Sequence, residues 1–206
     1  MNPSYAVYQN HIELLSPEGS ILTVYKTADS GRLVTRQKLQ TIFGVFHPGI
    51  MLGKDENGTQ IVIHHHYKHT VPVIHTISEY GDGAEVSFDD RDVHYSQHEI
   101  LIRALQLWKE QASYDLFNQN CQHFVTKAAC NEAYSESTHK GITWILIGIV
   151  VLLVLYVVYR SKNAALGMAT IALGGLTLNE IYKARIASSP MKRAKNLDQS
   201  SSLNYF

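Results

Sequence analysis

The feature that most constrains this chain is the run Ile142 to Tyr159 (ITWILIGIVVLLVLYVVY), eighteen residues without a charge. At about 1.5 Å per helical residue such a run matches the roughly 30 Å hydrocarbon core of a bilayer. Trp144 lies near one end and Tyr156 and Tyr159 near the other, with Lys140 and Arg160 outside them, the arrangement of interfacial anchors. The expectation is a transmembrane helix over 142–159, which divides the chain into four parts. A folded domain occupies 1–135. A second apolar segment over 164–182, rich in Gly and Ala (Ala164 to Leu178, AALGMATIALGGLTL), either packs on the first as another span or lies at the interface. The tail over 183–206 is basic (Lys183, Arg185, Lys192, Arg193, Lys195) and ends in a Ser/Asn/Gln-rich stretch of disordered composition.

Charge fixes the expected orientation. The tail is the most basic flank and is expected in the cytosol. If both apolar segments span, the N-terminal domain is cytosolic too. That agrees with an N-terminus lacking a basic region and an apolar h-region, hence no secretory signal. A single span makes the two criteria conflict, so a hairpin or tail-anchored topology with a cytosolic domain is the reading adopted.

The 206 residues are 45% apolar and 17% charged, a globular balance. Eighteen basic residues against eighteen acidic ones leave no net field for nucleic acid, and that class of partner is excluded. Cys121 and Cys130 are the only cysteines; on one helix nine residues apart they face opposite ways, so no disulfide and a reducing compartment are expected.

The pattern over 1–135 is that of a small α+β domain. Ser20 to Tyr25, Thr41 to Leu52 and Gln60 to His66 read as strands, the last two joined at Asn57-Gly58, a hairpin turn signal. Val71 to Ile77 and Ala84 to Phe88 are weaker strand candidates. His98 to Ser113 has a helical apolar stripe, and Asn120 to Ala133 reads as a second helix with Asn120 as its N-cap.

That cap places Cys121 at a helix N-terminus, where the dipole and first-turn N–H groups favour thiolate, the nucleophilic form. Its own N–H and those following it are candidate oxyanion donors. Taken alone, a cysteine in this context is more often a small packing residue, which is the reading given to Cys130. The base would come from the histidines around the hairpin. A two-residue turn pairs Glu56 with Thr59; His47, His64 and His66 then share one sheet face and His65 the other. In that register His66 stands nearer to His47 than His64 does, unless Pro48-Gly49 introduces a bulge. His64, His65, His66, His69 and His75 also form a local cluster, but alternation lets at most two of the three adjacent ones reach one ion, and no carboxylate or second cysteine is spaced to complete a site. No metal and no cofactor are expected.

Four elements together, Pro17-Glu-Gly-Ser-Ile-Leu22, Phe46-His47-Pro-Gly-Ile-Met-Leu-Gly53, Ile61-Val-Ile-His64 and Asn120-Cys121-Gln-His-Phe-Val125, resemble the lecithin retinol acyltransferase family. That family includes small phospholipase/acyltransferases and belongs to the circularly permuted NlpC/P60-like, papain-like thiol enzymes. The resemblance covers roughly residues 15–133. It implies an antiparallel sheet with packed helices, Cys121 as nucleophile, His47 as general base and His64 as the residue that orients it, with His66 as the alternative third member. It further implies acyl transfer from a membrane glycerophospholipid through an acyl-thioester, resolved by water (phospholipase A1/A2) or by an amine or alcohol (acyltransferase). Pro48 stands where the family usually has an aromatic residue, and the hairpin between the histidines is longer. Two other readings follow from the same residues: a thiol peptidase or amidase of the same fold, and a non-catalytic membrane-anchored interaction module.

Overall fold

The computed structural model describes residues 3–37, 46–66, 68–111, 113–115 and 119–161, with Leu176, Glu180 and Lys183 beyond them. It is an α+β fold built on an antiparallel sheet of eight strands. In chain order these are β1 (Ser4–Val7), β2 (His11–Leu15), β3 (Ile21–Tyr25), β4 (Leu33–Gln37), β5 (Phe46–Lys54), β6 (Gln60–His65), β7 (Pro72–Thr76) and β8 (Val86–Phe88). Among the described residues four helices accompany them: α1 (Ile77–Gly81), α2 (Gln97–Glu110), α3 (Cys121–Cys130) and α4 (Glu136–Ser161). β5 is the hub, paired with β3, β4 and β6.

The expected strands at 20–25, 60–66 and 84–88 and both expected helices are present with slightly shifted ends. The Val71–Ile77 segment is a strand only to Thr76, because Thr76 starts α1. Its hydroxyl accepts from the Glu79 amide while the Glu79 carboxylate accepts from the Thr76 amide, a reciprocal cap. β1, β2, β4 and α1 were not anticipated. Of the expected strand at 41–52, residues 41–45 lie outside the described residues.

One sheet face packs under α2 and α3. Ile12, Leu14, Val24, Ile50, Leu52, Ile61 and Ile63 from the strands meet Ile100, Leu101, Ala104 and Leu105 of α2 and Phe124, Val125, Ala128 and Ala129 of α3. A smaller cluster of Val34, Met51, Val62 and Tyr80 joins β4, β5 and β6 to α1. Gly49 makes this second cluster possible, since a Cβ there would stand 2.8 Å from Val62 Cγ1 and 3.1 Å from Tyr80 Cε2.

The hairpin between β5 and β6 differs from the expected two-residue turn. Asp55 Oδ1 accepts from the amides of Asn57 and Thr59, and Gly58 takes a positive φ, so the loop is one residue longer and Lys54 pairs with Gln60. A shift of one would have turned every later side chain to the wrong face. The bulge corrects it, not at Pro48-Gly49 but between Met51 and Gly53, and Ile50 then pairs with Ile63. Gly53 sits at φ +149, with the Tyr25 carbonyl oxygen 2.1 Å from where a Cβ would be. Two one-residue displacements cancel in parity, and the expected sharing of a face by positions 47, 64 and 66 survives.

α4 runs for 26 residues from the end of the domain. Most of its large apolar side chains are exposed, Leu152 at 67% and Tyr159 at 83% among them, while Val154 is buried. Among the described residues, no helix is long and apolar enough to cross a membrane. The segment 164–182 and the tail 183–206 lie outside the described residues except for Leu176, Glu180 and Lys183.

Candidate functional site

The site begins with Asn120. It holds extended backbone angles before α3 (φ −92, ψ −178), and its Oδ1 accepts from the amides of Gln122 at 2.9 Å and His123 at 3.2 Å. His123 completes the cap: its Nδ1 lies 3.3 Å from the Asn120 amide and accepts from it. In the Asn-Cys-x-His-Phe-Val element, therefore, His123 builds the helix start and Cys121 takes the first helical position. Neither cysteine is in a disulfide; Cys121 is half-buried and Cys130 is buried at the far end of the helix. Two of the amides considered for oxyanion binding, those of Gln122 and His123, already donate to the cap.

A second layer fixes this turn to the following helix. Asn120 Nδ2 donates to Ser135 Oγ at 3.0 Å and to Thr138 Oγ1 at 2.9 Å. Ser135, fully buried, donates to Gln122 Oε1 at 2.8 Å and accepts from the Thr138 amide at 3.2 Å, which caps the start of α4. Nothing in the sequence pattern alone links residue 120 to 135 and 138.

The histidines come from the strands beneath. His47 is on β5 and His64 on β6, 5% and 1% exposed. His47 Nε2 and His64 Nδ1 are 2.8 Å apart, with the rings at right angles. His66 lies edge-to-face on His47 with centroids 5.3 Å apart. Of the two candidate third members, His64 stands at hydrogen-bond distance from His47 and His66 packs against its ring. His65 faces the other way, as expected, against Tyr114 and Phe124. Its Nε2 is buried without a hydrogen-bond partner among the described residues.

Two residues the sequence did not single out complete the arrangement. Tyr80 of α1 lies against both imidazoles, with centroids 5.6 Å from His47 and 5.0 Å from His64, and its hydroxyl donates to the His47 carbonyl. His75 of β7, noted earlier only as part of the histidine cluster, has its Nδ1 3.0 Å from His64 Nε2. A motif search reads residues close in sequence; these arrive through β6–β7 pairing and the short helix after it.

Electrostatics follow from burial. Burial, then the neighbouring imidazoles of His47, His75 and His66 and the guanidinium of Arg36, hold the His64 pKa far below its ordinary value. Burial pushes the Tyr80 phenol up, and the charge of Cys121 adds to it. Tyr114 is pushed up to about 12 by burial and then by the neighbouring Cys121. α3, which carries Cys121, packs on β5 and β6, the strands that carry His47 and His64.

No protein-family model and no curated protein matches this chain. Among the described residues no group of three His, Cys, Asp or Glu side chains is arranged to hold a metal ion. The groups assembled here are a thiol at a helix start, three imidazoles joined by hydrogen bonds and a phenol.

Proposed function

We propose that the chain is a membrane-anchored cysteine acyltransferase or phospholipase, with Cys121 as nucleophile, His47 as general base and His64 as the residue that orients it. The observation that carries this is the 2.8 Å bond between His47 Nε2 and His64 Nδ1, on the two strands against which the capped, cysteine-started helix α3 packs. With Nε2 turned to His64, Nδ1 is the nitrogen that serves the thiol. His47 takes the Cys121 proton as sulfur attacks the ester carbonyl of a glycerophospholipid. The carbonyl oxygen gathers negative charge, with the Cys121 amide as the candidate donor to it. Collapse expels the lysophospholipid alkoxide, which receives the proton from His47 and leaves an acyl-thioester on Cys121. Water, an alcohol or an amine then attacks the thioester, giving its proton to His47, and the thiol is restored.

The lipid reading is supported over the peptidase and amidase reading by α4. The uncharged run over 142–159 and its exposed apolar side chains suit a membrane-spanning anchor, and Ser135 and Thr138 tie its start to the cysteine-bearing turn. In this reading the domain over 1–135 faces the cytosol and draws its acyl donor from the bilayer that holds the anchor.

The test is intact mass spectrometry of the full chain after incubation with vesicles of phosphatidylcholine of defined acyl chains. A Cys121-dependent adduct of one acyl mass, or release of that fatty acid, is the expected result. If a thiol-directed probe labels Cys121 while no lipid presentation yields adduct or product, the peptidase or amidase reading takes its place. Full cellular activity of Cys121→Ala would point to the non-catalytic module.

A further inference from the structure

The His47–His64 pair does not end at His64. His64 Nε2 meets His75 Nδ1 at 3.0 Å, so three imidazoles from three successive strands of the sheet, β5, β6 and β7, form one hydrogen-bonded chain. The strand order makes this possible. β6 pairs with β5 on one side and β7 on the other, and Val62 and His75 are cross-strand partners. The rings of His64 and His75 lie with centroids 5.0 Å apart.

A neutral imidazole carries one N–H and one acceptor nitrogen, so the choice of tautomer at one ring dictates the next. We propose that His75 is a positioning residue that sets the direction of this chain, accepting at Nδ1 from His64 Nε2–H so that His64 Nδ1 accepts from His47 Nε2–H. His47 is thereby held as the tautomer whose Nδ1 is a base. With a single proton to give, a neutral His64 cannot donate to both neighbours. The opposite direction would have His64 Nδ1–H donate to His47 Nε2, placing the His47 proton on Nδ1, the nitrogen the thiol needs. His75 thus acts through His64 and needs no contact with substrate. The chain's outer ring is steadied in turn: His69 lies with its centroid 5.6 Å from His75, and the Glu79 carboxylate, itself held by the Thr76 amide and hydroxyl, acts electrostatically on it.

This inference rests on the proposed role of His47, and its test separates the two. The full chain, labelled with nitrogen-15 at histidine and embedded in phosphatidylcholine nanodiscs, is examined by long-range proton–nitrogen correlation. In the unaltered protein His64 is expected as the Nε2–H tautomer. His75→Leu removes the acceptor and shifts His64 toward Nδ1–H, lowering kcat by between about fivefold and a hundredfold with KM unchanged, the size of effect that goes with a buried donor losing its partner. His75→Asn, whose side-chain oxygen can stand near the place of Nδ1, restores both the tautomer and kcat. An Nδ1–H tautomer at His64 in the unaltered protein overturns the proposal, as does a His64 signal indifferent to His75→Leu. If the tautomer shifts as stated but no variant, nor the unaltered chain, forms an acyl-enzyme, the hydrogen-bond chain stands and the catalytic reading falls.

Discussion

His64 is 1% exposed, bonded through both ring nitrogens and surrounded by groups that are cationic or become so. Charging it would place an ion between two imidazoles and near Arg36, so it stays neutral where a solvated histidine would not. His65 and His75 are likewise lowered, burial being the first cause in each. The sign for stability follows. As pH falls through about 6.5 the unfolded chain takes up protons that these buried rings refuse, so acid favours unfolding. Stability is full above about pH 7 and falls below it, by about 1.4 kcal/mol per pH unit for His64 while its folded form remains neutral. Urea unfolding of the detergent-solubilised chain between about pH 7 and about pH 5 should show a midpoint that drops on acidification; a flat midpoint would contradict a neutral His64.

Among the elements, α3 shows how much of the site could be read in advance. Asn120 as cap and Cys121 at the helix start were both legible, because capping is a local matter of side-chain oxygen and first-turn amides. The common face of His47, His64 and His66 was legible too, though through a turn that the protein does not use. The expected parity was right because the longer loop at Asp55–Thr59 and the bulge before Gly53 offset each other. Tyr80, His75 and the Ser135–Thr138 clamp were beyond reach, since each depends on tertiary placement that no periodicity encodes. Asn120 serves two of these levels at once. Asn120→Ala removes the cap on Gln122 and His123 and the bonds to Ser135 and Thr138 at the start of α4, and should cost about 1–2 kcal/mol in unfolding experiments. Cys121 should also alkylate more slowly with iodoacetamide, as the first turn frays and its dipole weakens. Asn120→Asp, which keeps the oxygen, should recover most of the cap but not the donation to Ser135 and Thr138.

For the molecule as a whole, the sheet with α2 and α3 forms one packed body, and α4 follows it with most of its large apolar side chains exposed. If the segment 142–159 is the anchor, a charge at its middle should loosen it. Val151→Arg together with Leu152→Arg should cost about 2.5–3.5 kcal/mol of insertion for each arginine. The doubly substituted chain should move from the floating membrane fraction toward the soluble one, and unchanged flotation would mean that other parts of the chain hold it. The clamp of Asn120 on Ser135 and Thr138 then acquires a second meaning. In that reading the bonds from Asn120 to Ser135 and Thr138 hold a Cys121 nucleophile at a fixed stand-off from the bilayer surface. Altering membrane thickness would raise or sink that surface relative to Cys121, and so change which ester bonds it reaches without touching a single residue around it.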